Sequence, residues 1–142
     1  LFKNIRKSNP DITMIFISHD FGFLNHIVDS YFVVYGGFIC EYIKDNEKFK
    51  KLNKNHPYTN DMLNRLKTDE GHDIRDELVA SVDLKRKMEG CPYYSQCEIL
   101  KDKPNEFKNK CKTEIPPIVN VEGDQSNNIS DSWVRCWDKV NE

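Results

Sequence analysis

Ile12-Thr13-Met14-Ile15-Phe16-Ile17-Ser18-His19-Asp20 is the stretch on which the fold class turns. Six apolar or β-branched residues without polar alternation predict a strand buried on both faces, as in a parallel sheet covered by helices. Polarity returns at Ser18-His19-Asp20, and Phe21, Leu24, Ile27 and Val28 then recur at helical spacing. Polar residues that leave the carboxyl end of a buried strand just before a helix lie where open α/β sheets place their ligands. The plainer alternative has Ser18 or Asp20 capping the helix while His19 faces water. Either way the class expected is α/β.

Upstream of this stretch, Leu1, Phe2 and Ile5 share one face of a helix and Lys3, Arg6 and Lys7 the other, before the breaker Asn9-Pro10-Asp11. A chain that starts inside a helical pattern reads as the end of a longer polypeptide. Downstream, Tyr31-Phe32-Val33-Val34-Tyr35 and Phe38-Ile39-Cys40-Glu41-Tyr42 flank Gly36-Gly37. Two β-prone runs around a glycine pair predict a hairpin, because a two-residue turn demands positive φ. Asn46 to Leu52 reads as a short charged helix, and the basic run Lys48 to Lys54 as a solvated face. Asn55-His56-Pro57-Tyr58-Thr59 breaks it. Pro57 in a first turn, with Tyr58, Met62, Leu63 and Leu66 behind it, predicts a helix to about Lys67. Thr68 to Gly90 reads as a charged helix or linker, and Glu122 to Asn128 as an exposed polar loop, with order returning at Trp133-Val134-Arg135-Cys136-Trp137.

The 142 residues suit about one domain. With 21 basic against 23 acidic residues and a net charge of −2, the composition gives no general footing for nucleic acid. No apolar run reaches the roughly 20 residues that span a bilayer, so no direct membrane insertion is expected. The first ten residues show no secretory pattern, so the thiols are expected to be reduced.

Four of the five cysteines, Cys91, Cys97, Cys111 and Cys136, crowd into the last third of the chain. Cys40 stands apart, between Phe38-Ile39 and Tyr42-Ile43, and reads as a small core residue. Reduced thiols in a polar segment with little to bury point to a metal as the source of order. Their gaps of five, thirteen and twenty-four residues lack the paired short spacings of structural zinc, yet leave zinc and an iron-sulfur cluster both open.

Taken in order, Ile15-Phe16-Ile17-Ser18-His19-Asp20, Tyr35-Gly36-Gly37-Phe38-Ile39, His56-Pro57-Tyr58-Thr59 and the cysteine-rich tail resemble the C-terminal part of the ATPase subunits of oligopeptide, dipeptide and nickel ABC transporters. The resemblance implies an α/β fragment of an ABC-type P-loop ATPase domain over residues 1–52, a His-Pro-Tyr helix and linker over 53–90, and an irregular cysteine-rich tail over 91–142. It implies that His19 is the switch histidine at the γ-phosphate of ATP, with Asp20 fixing the local turn. Residues 56–59 become a structural motif that docks the tail. Cys91, Cys97, Cys111 and Cys136 become ligands of a four-iron four-sulfur cluster, with zinc as the alternative. Arg135 is expected to offset the cluster's charge, and Tyr93, Tyr94, Trp133 and Trp137 to shield it.

The implied function is part of the ATP-hydrolysing subunit of a peptide or nickel importer. Its partners would be a second ATPase subunit and permease subunits at the cytoplasmic face of the membrane. The competing expectation is a stand-alone metal-binding interaction module. No Gly-rich phosphate loop, Leu-Ser-Gly-Gly-Gln signature or Walker carboxylate pair occurs in these residues, so ATP and Mg belong to the longer parent protein.

Overall fold

A computed structural model describes residues 1–44, 55–67, 89–121 and 132–140. The expected helix at 46–52 and the polar loop at 122–128 lie outside the described residues, as does the helix or linker at 68–90 apart from its last two residues. The opening helix α1 spans Phe2–Ser8, with Phe2 and Ile5 half-buried and the charged face exposed.

Ile12 to Ile17 departs from expectation. The run belongs to no strand, and Ile15 and Ile17 are 87% and 98% exposed. A strand exists only through a neighbour that takes up its N–H and C=O groups, and no described residues offer it a ladder. One face alone is covered. Phe16 sets its ring edge-on to Phe2 at 5.0 Å and packs against the core cluster of Leu24, Tyr31, Val33 and Ile43. The helix after it is also shorter than its spacing predicts: α2 covers Phe21–Leu24. Residues 25–27 then continue as turns, with the N–H of Ile27 and of Val28 bonded to the carbonyl of Leu24.

The hairpin forms as read. Strands β1 (Tyr31–Tyr35) and β2 (Phe38–Ile43) pair antiparallel, and Gly36 and Gly37 take φ of 56° and 77°. Both values lie in the left-handed region that a two-residue hairpin turn requires. Pairing runs Val33 to Glu41 and then Val34 to Ile39, so Cys40 is an extra residue in β2. This bulge breaks the period of two and turns both Cys40 and Glu41 inward, at 0% and 1% exposure. The carbonyl of Cys40 is taken up by the N–H of Arg135 at 2.8 Å.

Helix α3 spans Pro57–Lys67, matching the expected start and end. The tail is more regular than expected. Two 3₁₀ turns, Tyr94–Gln96 and Glu98–Asp102, lead to helix α4 at Asn105–Thr113. Short strands β3 (Val119–Asn120) and β4 (Trp133–Val134) complete one antiparallel sheet in the order β1-β2-β4-β3. Trp133 pairs with Tyr42 and Val134 with Glu41. The tail is thereby built into the sheet that the hairpin begins.

Candidate metal centre

Three tail segments meet beside the hairpin. Gly90 is pressed against the end of α4, where an added Cβ would come 2.3 Å from the carbonyl oxygen of Lys112. That close approach allows the N–H of Cys91 to bond the carbonyl of Cys111 at 2.9 Å, fixing the first and third tail cysteines together. Cys97 follows the first 3₁₀ turn, and Cys136 follows β4. All five cysteines are free thiols.

Cys91, Cys97, Cys111 and Cys136 line one cavity, together with His56, Pro57, Tyr94, Leu100, Pro116 and Trp137. Burial pushes the thiols of Cys91 and Cys111 up to about 11 and that of Cys136 up to about 12, and it raises Cys97 as well. The neighbouring sulfurs add to this, Cys97 acting on Cys91, Cys111 and Cys136. Among the described residues, no three His, Cys, Asp or Glu side chains are grouped so as to chelate a single metal ion. Cys40 is not part of the lining. It lies in a neighbouring cluster with Tyr35, Phe38 and Tyr93, its Sγ 3.6 Å from the carbonyl of Phe38.

The expected helpers are distributed differently. Of the four aromatics, Tyr94 and Trp137 face the cavity. Tyr93 instead stacks edge-on to Tyr35 at 5.2 Å and hydrogen-bonds through its hydroxyl to Asp61, while Trp133 serves the sheet beside Tyr42. The guanidinium of Arg135 lies over the rings of Phe38 and Trp133, at 5.3 and 5.8 Å. Lys103 and Lys110 are the cations that pull the Cys111 thiol down against its burial. Each is itself held in place, Lys103 by an ion pair with Asp138 and Lys110 3.8 Å above the ring of Trp137. Trp137 in turn donates its indole N–H to the carbonyl of Glu114.

His56 is a cavity residue that the sequence reading treats only as part of a docking motif. It is 1% exposed, and burial lowers its basicity so that it titrates at about 4. Its backbone N–H and the hydroxyl of Thr59 both donate to Oε2 of Glu41, at 3.2 and 2.6 Å. Desolvation pushes Glu41 up to about 7 against those two bonds, and its Oε1 has no partner among the described residues. No local pattern signals this arrangement, because His56 and Cys91 are 35 residues apart.

His19 lies elsewhere, exposed just beyond the run from Ile12 to Ile17. Asp20 acts as the cap of α2, its Oδ1 accepting from the N–H of Phe23 at 2.8 Å, while the hydroxyl of Ser18 accepts from the N–H of Asp20 at 3.0 Å. The loop that carries the imidazole is therefore fixed on its C-terminal side.

No protein-family model matches the chain. It is 27% identical, over 87% of its own length and 36% of the relative's, to the dipeptide transport ATP-binding protein DppD of Caldanaerobacter subterraneus. It is 28% identical, over 76% of its length and 29% of the relative's, to the probable peptide ABC transporter ATP-binding protein y4tS of Sinorhizobium fredii. The chain thus spans about a third of the length of these curated relatives, and the similarity supports a distant relation to the ATP-binding proteins of peptide ABC transporters.

Proposed function

We propose that the chain is the rear portion of the ATP-hydrolysing subunit of a peptide importer, and that its tail is held by a four-iron four-sulfur cluster on Cys91, Cys97, Cys111 and Cys136. The observation that carries the cluster is the gathering of all four tail thiols on one cavity from three separate chain segments. The donor set fits. Four thiolates are what a cubane takes, one to each iron, and a polynuclear centre needs its sulfurs spread more widely than a single ion does. Held by these four cysteines, a cluster would tie together the residues from 91 to 97, helix α4 and the segment after β4. The buried thiols would give up their protons on loading, and Lys103 and Lys110 lie near enough to offset part of the charge gained.

His19, on an exposed loop fixed by Ser18 and Asp20, serves as the residue that reaches the γ-phosphate of ATP and holds the attacking water. The nucleotide itself is held by parts of the longer subunit, at the cytoplasmic face of the membrane and against permease subunits and a second ATPase subunit. Among the described residues, no helix is long and apolar enough to cross a membrane.

Anaerobic reconstitution with ferrous iron and sulfide tests the tail. The expected product is a brown chain with about four irons, whose visible absorption bleaches on reduction. A colourless chain with one tightly held zinc would falsify the cluster. In the assembled transporter, His19→Ala should lower ATP turnover roughly 100-fold with nucleotide affinity near wild type. Unchanged turnover would remove His19 from the reaction.

A further inference from the structure

We propose that His56 is a positioning residue of the four-cysteine centre, donating its Nε2–H to the sulfur of Cys91. This role rests on the cluster reading above and goes beyond it, because it gives the histidine of the His56-Pro57-Tyr58-Thr59 motif a task in the centre's electronics. Nε2 of His56 lies 3.8 Å from Sγ of Cys91. Nδ1, on the other side of the ring, accepts the backbone N–H of Tyr58 at 3.1 Å. A backbone N–H only donates, so Nδ1 must present its lone pair, and the proton of the neutral ring sits on Nε2. The tautomer is thus set by the first turn of α3, and it aims a donor at the sulfur.

The ring has little freedom to do otherwise. It is fully buried, its own backbone N–H is bonded to Glu41, and the ring of Tyr93 meets it at 6.0 Å with planes 62° apart. With its proton on Nε2, the imidazole has no lone pair to offer inside the cavity, so it is a donor to a ligand and not a ligand. An N–H directed at a cluster thiolate draws negative charge off the sulfur and favours the reduced, more negative state. The same bond ties α3 to the residues from 91 to 97.

The test uses the full chain, loaded anaerobically with iron and sulfide, as wild type, His56→Phe and His56→Gln. Phenylalanine keeps a ring in the space and removes the donor; glutamine returns an N–H at similar reach. The midpoint potential should move to a more negative value in His56→Phe with iron content unchanged, and His56→Gln should recover most of that shift. A loaded His56→Phe chain with the wild-type potential overturns the role of His56 while leaving the cluster standing. Loss of one iron from that variant also overturns it, because His56 would then be a ligand. A wild-type chain that takes up no iron overturns the cluster reading and this role together. Should His56→Phe fail to fold, nitrogen NMR of the reduced wild-type chain decides: the expected tautomer carries its proton on Nε2, and a proton on Nδ1 refutes the donation.

Discussion

Gly90 and Glu41 each make a single-residue claim that can be measured. Replacing Gly90 with alanine puts a methyl group into the backbone carbonyl of Lys112, which has no flexible side chain to yield. Cys91 must then back away from Cys111, and Gly90→Ala is expected to cost about 1–3 kcal/mol in denaturant unfolding. A change within about 0.5 kcal/mol, the usual range at the surface, would mean that the two segments are not clamped. Glu41 holds its proton up to about pH 7 when folded, against 4.5 for an ordinary glutamate. Between those values the folded chain binds more protons than the unfolded one, so the contribution of Glu41 is fully present below pH 4.5 and is lost as pH rises through 7. Relative to Glu41→Gln, the wild type should lose roughly 3 kcal/mol of stability between about pH 4.5 and about pH 7, then no more. Urea midpoints of both chains at about pH 5 and about pH 8 measure this, and parallel profiles would place Glu41 in water.

Among the elements, what could be read from sequence was what depends on local chemistry. The hairpin is legible because Gly36-Gly37 supplies positive φ between two β-prone runs, and α3 because Pro57 starts a helix with apolar residues at the right intervals. An added Cβ at Gly37 would meet nothing within 4 Å, so the penalty there is purely one of backbone conformation. Gly37→Ala should therefore lower stability by roughly 1–2 kcal/mol, and D-alanine at the same position should restore or exceed the wild-type urea midpoint. If L- and D-alanine behave alike, the turn does not have the observed geometry. The run from Ile12 to Ile17 misleads for the opposite reason: composition marks a segment able to pair, while pairing depends on what lies beside it. The bulge at Cys40 is invisible for a related reason. It is fixed by long-range register, and it decides that Glu41 faces in. The tail cysteines announce themselves by number and by poverty of apolar neighbours, but the inward turn of His56 depends on a contact across 35 residues.

At the scale of the whole molecule, the sheet and the cysteine cavity are held by the same tail. Cys136 directly follows Arg135, whose N–H bonds β2, and Ser132 on the other side of β4 accepts the N–H of Lys44 at 3.0 Å. Stripping iron from a loaded chain with a chelator should thus lower the thermal midpoint of the entire chain and not only loosen its end. Identical melting of loaded and stripped protein would separate the centre from the fold. The strand order adds a constraint on biosynthesis: β4 is translated after both its neighbours yet sits between β2 and β3. A nascent polypeptide halted before Trp133 would expose the edge of β2 to any other aggregation-prone strand in its vicinity. A stop codon just before Trp133 is accordingly more hazardous than the loss of two strand residues suggests, since it deletes the middle of the sheet and not its margin.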